Sequence, residues 1–143
     1  MMSTSVQQIY EHLNESNLIF ALLAEKSGDE KVRAFYQQLE ADRKAMIAAL
    51  THVVAMNGEK LTHAASAAGA VNRVWLRIRD TVAPLDDAQM LAACERAEIH
   101  IHGLYDTAIG GAPPADLLRV LADQRLTIAA NIVKLRSVSP AHA

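Results

Sequence analysis

Between Cys94 and Ile109 the chain reads CERAEIHIHGLYDTAI. Leu91, Glu95, Glu98, His102, Tyr105 and Ile109 recur there at helical steps of three and four. Acids and an imidazole thus stand on a stripe that ought to be apolar. Paired carboxylates with a histidine are the donor types of a transition-metal centre. Two arginines, Arg43 and Arg125, fall on the apolar stripes of other segments, and a guanidinium has no lone pair to give a metal. His100 and His102 are two residues apart, so they lack the i, i+4 spacing of helical zinc sites. His102 reads as a hydrogen-bonded core histidine and His100 as solvent-facing. Cys94 reads as a small buried thiol. Gly110-Gly111 follows a helix rather than a strand and makes no phosphate loop.

Four long helices must position these groups. Ser3, Thr4 and Ser5 offer caps to a first helix over about 6–26, carrying Ile9, Leu13, Phe20 and Leu23. Gly28 and Asp29 close it and cap a second helix over about 29–57, with Val32, Phe35 or Tyr36, Leu39, Arg43, Met46, Leu50 and Val53 inward. Asp86 or Asp87 caps a third over about 87–109. Gly110 to Pro114 stops it. A fourth runs over about 115–138 with Leu117, Leu121, Arg125, Ile128, Ile132 and Leu135 inward. Short loops make each pair antiparallel, and the long segment between the pairs acts as a crossover. It holds a short helix over about 70–82, with Val71, Val74, Trp75, Ile78 and Val82 on one face and Trp75 as a cover residue.

A shift of 82 positions lays the second half on the first: Leu39 on Leu121, Arg43 on Arg125, Met46 on Ile128 and Val53 on Leu135. That implies a pseudo-twofold bundle. Two hairpins joined by one long connection are the plan of ferritin-like bundles, whose di-metal ligands are a Glu from each of two helices and Glu-x-x-His from the other two. In this chain both histidine slots hold arginine, Arg43 and Arg125, and one glutamate slot holds Ala122. The charges balance without a metal, Glu95 and Glu98 against Arg43 and Arg125. The expectation is therefore a buried polar network of Arg43, Arg125, Glu95, Glu98 and His102. The rival metal set is Glu15, Glu40, Glu98 and His102, holding iron or manganese.

The chain resembles a bacterial family of ferritin-like four-helix-bundle proteins of unassigned function. CERAE with Tyr105 and Ala108-Ile109 carries the likeness, with Gly69-Ala70-Val71-Asn72-Arg73-Val74-Trp75 and AEKSGDEKVRAF leading to Arg43. The resemblance implies an all-α ferritin-like fold and a bacterial, cytoplasmic setting, and brings no established reaction. Ala97 stands where that family commonly has glycine, Asn72 where it has histidine, and Ser16-Asn17 where it has an acid.

Composition narrows the remaining classes. With 143 residues, 51% hydrophobic and only 4% aromatic, the chain fits one domain of packed helices. A formal charge of -2 gives no basic surface for nucleic acid. The lone Cys94 allows no internal disulfide, MMSTSVQQIY is no secretory signal, and no apolar run reaches membrane-spanning length. The run Leu18 to Ala24, LIFALLA, is apolar all round, which is expected either of a contact in a homo-oligomer or of the place where the crossover helix covers the first helix. The leading expectation is a non-enzymatic, cofactor-free structural or interaction module. The rivals are a di-iron or di-manganese protein serving as oxidase or metal store, and a binder of a small anionic ligand in the core.

Overall fold

The computed structural model describes residues 4–62 and 86–138. Four helices account for most of them: α1 (Thr4–Lys26), α2 (Glu30–Met56), α3 (Asp87–Gly110) and α4 (Ala115–Val138). The protein is an all-α four-helix bundle. The expected crossover helix over 70–82, with Trp75, lies outside the described residues.

Capping fixes the helix ends. Asp29 accepts from the backbone N–H groups of Lys31 and Val32 at 2.9 and 3.1 Å, satisfying two donors that the first turn of α2 leaves open. Asp86 does the same for α3 through Gln89 N–H. At the C-terminus of α2, Gly58 adopts φ +75 and the chain folds back so that Glu59 N–H reaches Val54 C=O. After α3 the left-handed residue is Ala112, at φ +54, and not one of the two glycines before it.

The order of the helices follows from which ends meet. Ser27 at the end of α1 bonds Asp87 at the start of α3, while Val6 near the start of α1 packs with Ala108 near the end of α3. Asn57 after α2 bonds Asp116 at the start of α4. So α1 is antiparallel to α3 and α2 to α4, which sets α2 parallel to α3 on the bundle diagonal. The chain therefore leaves α2 at one end and enters α3 at the other.

The buried stripes repeat, in a register different from the expected one. A shift of 85 positions carries Val6, Ile9, Leu13, Ser16, Phe20 and Leu23 onto Leu91, Cys94, Glu98, Ile101, Tyr105 and Ala108. The same shift carries Val32, Tyr36, Leu39, Arg43, Met46 and Leu50 onto Leu117, Leu121, Gln124, Ile128, Asn131 and Leu135. The two registers differ by nearly one helical turn, so the sequence pattern fits both.

Candidate functional site

The core is in two parts. One apolar cluster includes Ile9, Leu13, Met46, Leu50, Ile101 and Ile128; the other includes Phe20, Tyr36, Leu39, Leu91, Cys94 and Leu135. Between them, at mid-height, each helix contributes one buried polar residue: Ser16 from α1, Arg43 from α2, Glu98 from α3 and Asn131 from α4. Each lies on its helix between residues of the two clusters, as Ser16 does between Leu13 and Phe20.

Arg43 and Glu98 are fully buried and joined by an ion pair from Nη2 to Oε2 that spans the diagonal of the bundle. The rest of the guanidinium is held by soft and aromatic groups. Its Nη1 lies 3.8 Å from Met46 Sδ, and its Cζ is 5.4 Å from the Phe20 ring centroid, a cation–π distance. Burial pushes the Glu98 carboxyl above its ordinary range, and the Arg43 charge and hydrogen bond pull against that. Glu98 Oε1, Arg43 Nε and Asn131 Nδ2 have no partner in full hydrogen-bond geometry, although Asn131 is close enough to Glu98 to favour its charged form.

Two neighbours extend the polar layer. Tyr105 donates to Gln124 Oε1 at 2.7 Å, and Gln124 donates through Nε2 to Met46 C=O at 2.9 Å, which ties α3, α4 and α2 together. On the other side Tyr36 lies against Cys94. Burial, then the Glu98 charge, pushes the Cys94 thiol up to about 12, so the sulfur stays protonated and unreactive in the folded chain.

The five-residue network expected from sequence requires correction. Arg43 and Glu98 meet at the axis, but Arg125, Glu95 and His102 do not join them. The Arg125 side chain is 39% exposed and pairs with Asp106 at 2.7 Å; Glu95 pairs with Arg136 at 3.2 Å, also on the surface. His102 lies 3.5 Å from Asp106 on the same side of α3. The reason is the rotation of both helices: the inward positions of α3 are Cys94, Glu98 and Ile101, not Glu95 and His102, and those of α4 are Gln124 and Asn131, not Arg125 and Ile132. A signal was available, since Leu117, Leu121, Gln124, Ile128, Asn131 and Leu135 follow an unbroken 4-3-4-3-4 spacing.

The rival metal set is also scattered. Glu40 pairs with Lys44 on the surface of α2, and Glu15 sits 3.9 Å from His12 at the α1–α3 seam. There the His12 and His100 rings meet edge to face at 5.0 Å, so His100 faces a neighbouring helix as well as solvent. Among the described residues no group of three or more His, Cys, Asp or Glu side chains could hold a metal ion. Nor is any described helix long and apolar enough to cross a membrane.

Residues 1–111 match the family described as "Domain of unknown function (DUF2383)". The chain belongs to that family. The DUF2383 match spans α1, α2 and α3, so both halves of the buried ion pair lie within it, while Gln124 and Asn131 of α4 lie beyond it. No curated protein and no solved structure matches the chain.

Proposed function

We propose that this DUF2383 protein is a non-enzymatic ferritin-like scaffold in which an arginine–glutamate lock takes the place of a di-metal centre. One observation carries the reading: Glu98, the carboxylate buried at the bundle axis, is already held by Arg43. A guanidinium stays charged at ordinary pH, donates in a rigid fork and repels cations. Any metal drawn to Glu98 would have to displace it. The remaining carboxylates and histidines of a metal set sit on separate surfaces, and the one buried thiol is protonated. The bundle then serves through its shape and its outer faces, in the bacterial cytoplasm that the family resemblance implies.

The test is metal analysis of untagged protein expressed in iron- and manganese-supplemented medium, with thermal melting before and after metal addition. The scaffold reading expects less than stoichiometric metal and an unchanged melting temperature. Stoichiometric iron or manganese that disappears in Glu98→Gln would establish the metalloprotein instead.

A further inference from the structure

The outward side of the α3–α4 pair gathers most of the large exposed apolar side chains among the described residues. Leu126 and Val133 are 67% and 64% exposed, and Leu118 and Ile99 are exposed too; together they are four of the six large exposed apolar side chains among the described residues. They share one face. Glu95, Ile99, His102 and Asp106 form a single stripe of α3 at steps of four and three, and Glu95 and Asp106 reach across to Arg136 and Arg125 of α4. On α4 the stripe Leu118, Ala122, Leu126, Ala129, Val133 runs alongside those arginines. The alanines leave the middle of the face shallow.

Gly103 adds an independent sign. A glycine inside a helix costs about 1 kcal/mol relative to alanine. Nothing stands within 4 Å of where its Cβ would be, so no contact inside the chain calls for its absence. Next to Ile99 on the exposed surface of α3, it admits the close approach of another backbone.

The charges specify the partner. In both ion pairs of the α3–α4 seam the acid stands on α3 and the arginine on α4, at two heights: Glu95 with Arg136, and Asp106, which His102 of α3 also flanks, with Arg125. A twofold axis parallel to the bundle lays α3 of one copy over α4 of the other. Each acid then meets a base of the partner copy at its own height, so the face complements itself. Two adjacent helices of 24 residues are each about 36 Å long, ample for the ~800 Å² per partner of a standard interface. We infer that the protein forms a symmetric dimer through the outer face of α3 and α4, with Leu118, Leu126, Val133 and Ile99 at its centre and the Glu95–Arg136 and Asp106–Arg125 pairs shared between copies.

This extends the scaffold reading by naming its partner, and it fails separately from the metal test, which never touches this face. It also moves the expected contact away from Leu18–Ala24: Phe20, Leu22, Leu23 and Ala24 are buried within the chain, which leaves Leu18 as the exposed large side chain of that run.

Sedimentation equilibrium of the full chain tests it, with far-UV circular dichroism to verify folding. At high micromolar concentration the expected mass is twice 15.5 kDa. Leu126→Glu/Val133→Glu, both side chains being in solvent, should keep the helical spectrum and weaken dimerisation by about tenfold or more, a loss of at least about 1.4 kcal/mol. Leu18→Glu should leave it unchanged. Gly103→Ala should raise the melting temperature of the dilute monomer and yet weaken the dimer. A wild-type monomer would overturn the proposal and leave this face to a different protein. A dimer indifferent to the double substitution, or lost in Leu18→Glu, would overturn it as well.

Discussion

Arg43 can be buried because its surroundings do several jobs at once. Glu98 neutralises it, Phe20 presents a ring face, and Met46 offers a polarisable sulfur. With three polar atoms of the layer lacking a full partner, this arrangement makes the centre specific more than it makes the fold stable. Arg125 is the instructive contrast. It carries the same charge and occupies the matching stripe in the 82-residue register, but it pairs with Asp106 in partly open water. Arg125→Ala is expected to cost less than about 1 kcal/mol in urea denaturation, as exposed pairs do. A second residue-scale prediction concerns pH. Burial, then the neighbouring His100, lowers the His12 pKa below 6.5, while Glu11 raises it and Glu15 lies 3.9 Å away. The folded chain therefore binds fewer protons at His12 than the unfolded chain, and stability is lost as pH falls through 6.5 toward the folded pKa. Glu15 works oppositely, since burial and Glu11 raise its pKa and its contribution is lost as pH rises above 4.5. Thermal melts between pH 7 and 5 should show His12→Gln losing less stability than wild type; equal losses would contradict this.

At the scale of elements, the four helices were legible because caps and apolar periodicity agree. Asp29 and Asp86 act where the sequence places them, at helix starts, whereas the glycine that turns left-handed is Gly58 after α2 and not Gly28 after α1. What apolar character alone did not reveal was the rotation of α4 about its own axis. Ile132 is apolar and Asn131 is not, so a rule that sends apolar residues inward turns the helix the wrong way at that position. The matched arginines pulled the register in the same direction. Gln124 is inside because the layer offers it partners, Tyr105 and the Met46 carbonyl, while Asn131 is inside beside Glu98, whose charged form it favours. Polar residues drawn to other polar residues break the hydrophobic pattern from within. The α3–α4 turn yields a prediction that the glycine pattern would have misplaced. Ala112 holds φ +54, a region where a Cβ is crowded, so Ala112→Gly should stabilise the protein by about 1 kcal/mol, measured as a raised urea midpoint at unchanged slope. A loss of stability would mean that this conformation is not held in solution.

The whole molecule is two apolar clusters separated by one polar layer, with a helix order that sets α2 and α3 on the diagonal. That placement lets a residue of the first hairpin meet a residue of the second at the axis, so the Arg43–Glu98 pair fastens the two halves of the chain together. The choice of partners across the diagonal was readable only in part, because charge balance counts acids and bases without saying which of them face inward. Arg43 and Glu98 act as a unit. The most direct measurement is a double-mutant cycle by urea denaturation on Arg43→Met, Glu98→Gln and the combined variant. Each single change strands a partner in the core and should cost about 3–5 kcal/mol, while the combined variant should cost clearly less than their sum. Costs that simply add would show that the two residues do not sustain each other, and the lock would not exist.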